Sequence, residues 1–479
     1  MNLCPIQKNK THPNDPMFKK ITSLEMKKII LCSLLMIGVL SGAIAQEKIL
    51  TKDDAISLVL EQNFGILIAK NTIDVASNNK SLLNSGYLPT LSGTSNANYN
   101  NGDRTTEFPG QFIDDPTTGL KVPLPNNELL GAESRNYGAT LNLNYNLFDG
   151  LGRVFNYKKL KEQYNLTELQ ARETIENTIL QLFSVYYNIA TLTENKEVLT
   201  EVFKVSKSRI KRTQYAFEFG QGSMLEVLNA QVDATNDSIN IINTEQQLKN
   251  SKRDLNVLLG QELNTFFEVD TEVIFTPQKD LLNFMKTSKS ANVSLLQQDT
   301  NLLINEYDIK VAKSGYLPKI GLRGSYGWNY AQSAPSAFFP GVNNTTLDLG
   351  LSVNLTWNIF DAGTSSVRIK NAKIALNNQE IIKQQLELQI ERDLMNALEV
   401  YQNRQAVFSI QEKNVETNQN NFDRSKEQFS LGSISSISFR QAQINLMNAQ
   451  TNMNKAKYDA KLAELQLLQL TGQLLNVEF

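Results

Sequence analysis

The sequence predicts a mainly α protein carrying a small β-barrel portion, made by using one supersecondary unit twice. Three observations lead there: short strings recur in order along the chain, long tracts lack proline, and short segments alternate strictly between apolar and polar residues. Ser85-Gly86-Tyr87-Leu88-Pro89 returns as Ser314-Gly315-Tyr316-Leu317-Pro318, and Asn146-Leu147-Phe148-Asp149 returns as Asn358-Ile359-Phe360-Asp361. Beyond them the halves stay in register at a spacing of 212, through Arg212/Arg424, Phe217/Phe429, Gly220/Gly432, Ala230-Gln231/Ala442-Gln443 and Gly260/Gly472. A fixed long period is the mark of a duplicated unit. The first pair of strings is spaced by 229, so the tract between Pro89 and Asn146 is 17 residues longer than its copy. Such a tract belongs on the surface, where loops tolerate insertion.

The elements follow in chain order. Met26-Lys27-Lys28, the apolar run from Ile29 to Leu40 and the small-residue site Ala43-Ile44-Ala45 have the form of a secretory signal, with cleavage expected before Gln46. Residues 1–25 precede a complete signal and read as a misplaced start or an extension. Loss of residues 1–45 would take Cys4, Cys32 and the single histidine, His12. That inventory excludes thiol nucleophiles, Ser-His triads, His-ligated zinc and disulfides from the exported chain. Its 47 basic and 49 acidic residues would fall to 41 and 47. A mildly acidic chain does not suit nucleic acid. After the signal, no run reaches the roughly 18 apolar residues of a spanning helix.

The first repeat is expected over 46–260, an equatorial linker over 261–289 and the second repeat over 290–479. No proline falls between Asn126 and Thr276 or after Pro340, which permits helices from about Leu151 to Phe217 and from about Gly363 to Ser430. Ile175, Ile179, Leu182, Phe183, Tyr186 and Ile189 give the first its seam. At 1.5 Å per residue each would reach about 100 Å. Segments 51–84 with 222–260, and 290–314 with 433–471, add up to shorter helices stacked end to end against the long ones. The linker, with Pro277 and no clean period, should wrap the outside at mid-height. Glu173 and Glu176 read as surface charges, and Gly150-Leu151-Gly152-Arg153 lacks the third glycine of a nucleotide loop.

From Leu347 to Ile359 every odd position is apolar and every even one is polar or Gly, and Ala139 to Leu147 repeat the pattern. The segments after Pro89 and Pro318 are their hairpin partners, four strands in all. Such strands set one face in lipid and the other in water. Tyr99, Trp328, Tyr330 and Trp357 fall where an aromatic girdle would sit. Four strands cannot close a barrel, so the chain must oligomerise, and strand number does not choose between dimer and trimer.

The order of signal, helix, Gly-Tyr-Leu-Pro turn, hairpin, Phe-Asp turn, long helix, Gly-centred reversal and helix, run through twice, resembles the outer membrane efflux protein family of TolC-like exit ducts over about residues 50–472. The resemblance implies a homotrimer in which four strands per chain make a twelve-stranded barrel in outer-membrane lipid, continued by long antiparallel coiled helices as a periplasmic tunnel. It implies a passive conduit in a Gram-negative outer membrane, without cofactor or catalytic residue, serving an inner-membrane pump through a periplasmic adaptor. A duct for protein or peptide secretion, and a structural or adhesive coiled-coil stalk, stand as alternatives. The family's adaptor-docking tip corresponds here to Arg212, Phe217, Gly220 and Ser223 in the first reversal and to Arg424, Phe429, Leu431, Gly432 and Ser433 in the second. A competing local reading makes Gly the helix stop, Phe a staple and Arg a helix-end cation. In the family's archetype acidic residues just past the reversal ring the pore. Six residues past each glycine stand Glu226 and Ser438, so the acidic ring is halved, and Ser223 to Glu226 also fit a capping box. The proline-rich tract from about Asn101 to Arg135 is expected as a loop at the cell surface.

Overall fold

The computed structural model describes residues 49–335 and 340–477; the signal segment with Cys4, His12 and Cys32, and the terminal Phe479, lie outside them. Two helices dominate, α3 (Gly152–Glu218) and α7 (Thr364–Ser430), each of 67 residues. Their bounds fall within a residue of the expected ones. Both start just after a Phe-Asp turn, because Asp149 and Asp361 accept from the backbone N–H groups of Arg153 and Ser365, each at 2.8 Å. Such bonds satisfy donors that a helix start leaves bare.

Shorter helices line the long ones. In chain order they are α1 (Lys52–Gln62), α2 (Phe64–Asn79), α4 (Met224–Leu258), α5 (Gln278–Ala291), α6 (Val293–Lys313) and α8 (Ser436–Leu470). Stacking end to end is visible at two equivalent seams. Asn63 Oδ1 accepts from Ile66 N, capping α2, while its Nδ2 donates to Leu258 O at the end of α4, 2.9 Å away. Asn292 caps α6 through Leu295 N and donates to Leu470 O at the end of α8, also at 2.9 Å. The chain passes each seam so closely that a Cβ on Gly260 would lie 2.5 Å from Gln62 O, and one on Gly472 would lie 2.2 Å from Ala291 O. Both glycines also have positive φ, so glycine is needed twice over.

The main core is equatorial. Ile179, Leu182, Phe183, Tyr186 and Tyr187 of α3 pack with Leu255, Tyr458, Leu465 and Leu468, and with Val59 and Ile66 of the first helices. Tyr187 stacks on Tyr458 at 5.5 Å between centroids. Burial pushes the Tyr186 phenol up to about 12 and raises Tyr187 and Tyr458 as well. Tyr186 Oη donates to Leu50 O and accepts from Asp270 N, which fixes a two-residue parallel pair, β1 (Ile49–Leu50) with β6 (Glu268–Val269). The segment read as lacking a period therefore carries a strand and most of α5, whose Leu281 and Ser288 are buried while Phe284 and Met285 pack on the core. Glu176 also departs from expectation. It is fully buried and paired to Arg172 at 2.8 Å, because Arg172 crosses to the second seam and donates to Gly472 O and Ala291 O. Burial pushes its carboxyl up against the pull of Arg172.

The sheet is antiparallel throughout, in the order β2 (Thr90–Thr106), β5 (Asn127–Phe148), β7 (Lys319–Gln332), β8 (Asn343–Thr356). Beyond those four strands and the β1–β6 pair, a small hairpin of β3 (Phe112–Asp114) and β4 (Lys121–Pro123) occupies the long tract. Much of the stretch read as a loop from Asn101 to Arg135 is strand, since β2 and β5 run past the ends of β7 and β8. Alternation fixes this register, since a one-residue slip would turn every side chain over.

Candidate functional site

Two regions carry the chemistry of the chain: the sheet at one end and the two helix reversals at the other. In the sheet, register sorts residues onto faces. Leu347, Leu349, Leu351, Val353 and Leu355 lie opposite Trp328, Tyr326, Gly324, Leu322 and Ile320, and these face Ala139, Leu141, Leu143 and Tyr145 in turn. The five β8 side chains are between 63 and 83 % exposed, so nothing among the described residues covers this apolar face. Asn142, Asn144, Arg323, Ser325, Ser352 and Ser92 line the opposite, concave face, around a cleft of about 550 Å³. Trp357 follows β8 at the helical end, where its Nε1 donates to Tyr316 O. Tyr137 and Tyr330 stack at 6.1 Å toward the far end, near the level of Tyr99. Trp328 sits deeper, paired with Ala139 and Leu347. Among the described residues β2 and β8 have no partner on their outer edges, an arrangement that a soluble sheet has to protect.

The reversals are near copies. Gly220 N and Gly432 N donate to Phe217 O and Phe429 O, while Gln221 N and Ser433 N reach back to Ala216 O and Gln428 O. Both glycines have positive φ and open space where a Cβ would stand. Ser223 Oγ accepts from Glu226 N, and Ser435 Oγ from Ser438 N, so Glu226 and Ser438 occupy the same place in the first turns of α4 and α8. The cap on the second side belongs to Ser435, which the repeat comparison did not single out. Beside each glycine an apolar side chain projects outward: Leu431 is 80 % exposed and Phe219, 212 positions earlier, is 78 % exposed. Phe219 was passed over because its partner in register is a different residue type.

The remaining tip residues separate. Arg212 donates to Ser430 O at 2.6 Å and lies 5.0 Å over the Phe429 ring. Phe429 in turn stacks on Phe439 at 4.9 Å, within a small core of Phe422, Phe439 and Leu446. Phe217 and Arg424, their counterparts, are exposed.

Just inside the tip lies a buried ionic cluster that no motif announced. Arg440 of α8 is bidentate on Asp237 of α4, at 2.6 and 2.8 Å, and Ser206 Oγ of α3 donates to the same carboxylate at 2.6 Å. Arg209 pairs with Asp233 and donates to Ser436 O. Gln443 Nε2 donates to Val202 O at 2.8 Å. The two hairpins are thus joined by charge-assisted bonds where bonds of that kind are strongest.

α7 is the exposed edge of the helical layer. Its buried residues are Ser365, Ile390, Leu394, Tyr401 and Phe422, against more than twice that number along α3. Val367, Ile374, Ile381, Leu388 and Met395 recur every seventh residue and are all more than half exposed. An apolar heptad seam calls for a partner helix.

Among the described residues no helix is long and apolar enough to cross a membrane, and no cluster of metal-ligating side chains occurs. The profile of the family described as "Outer membrane efflux protein" matches residues 55–261 and 286–473. The chain belongs to the outer membrane efflux protein family. The outer membrane protein TolC of Vibrio cholerae is 23 % identical over 313 residues, covering 64 % of this chain and 70 % of that one. The outer membrane efflux protein BepC of Brucella suis is 19 % identical over 456 residues, 94 % of this chain and 91 % of that one. The Campylobacter jejuni CmeC outer membrane channel has the same fold, with a TM-score of 0.66 at 16 % identity over 88 % of this chain and 86 % of that one. In this outer membrane efflux protein the fold is therefore a helical tunnel wall joined to a barrel segment.

Proposed function

We propose that three copies of this chain form a passive conduit through the outer membrane, conducting substrates delivered by an inner-membrane pump and a periplasmic adaptor. The observation that carries this is the sheet: one uncovered apolar face, one polar concave face, and two free edges. Three such sheets joined edge to edge give twelve strands, a number that closes into a lipid-facing barrel with a wet interior. The exposed heptad seam of α7 supports the same assembly, since it finds its partner on a neighbouring copy. Such a conduit performs no reaction, and transport is driven from the pump side.

The adaptor docks at the reversals. Gly220, Ser223, Leu431, Gly432 and Ser433 supply the docking surface with Phe219, because they combine exposed apolar side chains with backbone that a partner can approach closely. Arg212 and Phe429 hold that surface from behind. Glu226, in the capping turn of the first hairpin, puts a negative charge near the tip entrance, and Ser438 puts none at the equivalent place in the second.

The test is oligomer mass together with single-channel conductance of the exported chain in planar bilayers. A trimer with small, mostly closed conductance is expected. A trimer that never conducts, under any voltage and after loosening of the tip, would overturn the channel reading. Phe219→Asp with Leu431→Asp should abolish adaptor binding and leave the trimer intact; undiminished binding would overturn the docking assignment.

A further inference from the structure

Resting on the trimer reading, we propose that the tip is closed between chains by a second set of contacts, in which Arg424 of one copy clasps Phe217 and the Glu218 carbonyl of the next. The argument comes from the repeat. Within the chain, hairpin one meets hairpin two through several contacts, two of which bear on the repeat: Arg212 on Ser430 O and the Phe429 ring, and Gln443 on Val202 O and Ser206 Oγ. Both donors belong to the set repeated at a spacing of 212, as Arg424 and Gln231. Within one chain those two side chains are exposed and bond to nothing among the described residues.

The matching acceptors have no partner across the hairpins either. Shifting Ser430 and Phe429 back by 212 gives Glu218 and Phe217. Glu218 is the last residue of α3, so its carbonyl is one of those a helix leaves without an internal partner. Phe217 is 42 % exposed, and where Phe429 has Phe439 to stack upon, the first repeat has Val227. Shifting Val202 and Ser206 forward gives Asn414, which is exposed, and Asn418, which is half-buried. Both lie on the edge helix α7, and their side chains bond only within it. All the shifted contacts place α7 of one copy against α3 and α4 of another, so they describe a single interface. Six hairpins in a ring then alternate between one contact inside a chain and one between chains. The inner contact is reinforced by the Arg440–Asp237 pair; the outer one is not, because Leu228 and Ala449 stand at the equivalent places. The outer contact is the weaker of the two and opens first.

After residue 45 the sequence holds no cysteine, so introduced thiols are unambiguous. The double variant Gln231→Cys with Asn418→Cys is oxidised as an assembled particle, with Ser206→Cys plus Gln443→Cys as the within-chain control. The expected result is a covalently linked trimer from the first pair and a linked monomer from the second. Co-expressed single variants give a linked dimer by the same contact and serve if the double variant does not assemble. A particle that is trimeric by mass but forms no link between chains overturns the clasp and leaves the trimer reading standing. A parent chain that is not a trimer overturns both.

Discussion

Asp237 is the residue whose removal should change the tip most. Its carboxylate is 2 % exposed and accepts three bonds, from both terminal nitrogens of Arg440 and from Ser206. Asp237→Ala leaves Arg440, itself 12 % exposed, with Gln443 Oε1 at 3.0 Å, Ser206 Oγ at 3.2 Å and Asp233 at 3.8 Å. Breaking a buried pair by deleting one partner costs about 3–5 kcal/mol. Asp233 compensates in part, so the low end, about 3 kcal/mol, applies. Since about 1.4 kcal/mol is a factor of ten, the equilibrium for local opening should rise by roughly two orders of magnitude. Amide hydrogen exchange reads this directly: protection over 202–240 and 428–446 should fall by that factor, while the equatorial core keeps its own. Single-channel records should show more frequent openings. Replacing both partners, Asp237→Leu with Arg440→Met, should return much of the lost protection, because an apolar pair carries no stranded charge. A fall of less than threefold, or an equal fall at the equator, would refute the view that the cluster holds the hairpins together.

Three other outcomes follow. Gly472→Ala should destabilise far more than Gly432→Ala in thermal unfolding, because the first drives a Cβ into Ala291 O and the second meets only the strain of about 1–2 kcal/mol from its positive φ. On the sheet, Leu349→Arg should cost about 2–4 kcal/mol and impair assembly in lipid, whereas Ser352→Arg should assemble normally and shift ion selectivity, measured as reversal potential. At high pH, Tyr186 and Tyr401 should act together. Both phenols are raised to about 12 by burial, so their contribution is whole below the ordinary tyrosine value near 10 and is lost as pH climbs through about 12. Alkaline titration followed by tyrosinate absorbance should show a late cooperative step coincident with loss of helix.

The long elements were legible because their signals are cumulative. Absence of proline over more than a hundred residues, a Gly at each reversal and an Asp at each start locate α3 and α7 to within a residue. Strict alternation located the strands, although not how far β2 and β5 continue, since Asn98 to Thr106 have no apolar face to read. α5 was missed because it offers a single short apolar ridge of Leu281, Phe284 and Met285 beside Pro277. At the tip, comparison of the halves found what is duplicated and was blind to what is not. Arg209, Asp233, Asp237 and Arg440 stand opposite Asn421, Asn445, Ala449 and Leu228 in the other half, so the ionic cluster left no trace in the repeat. Glu176 misled for a different reason: helical position alone does not reveal that Arg172 and the second seam close over it.

The asparagine seams turn the wall into two scales of equal pitch laid side by side, one continuous and one interrupted. Along α3 the chain counts 67 residues without a break, while beside it the count stops at Asn63 or Asn292 and starts again. A heptad added to α3 alone would move Arg172 by about 10 Å, two helical turns away from the Gly472 and Ala291 carbonyls it now bridges. The distance from membrane to tip can therefore change only when both scales are recut together, in both halves of the chain.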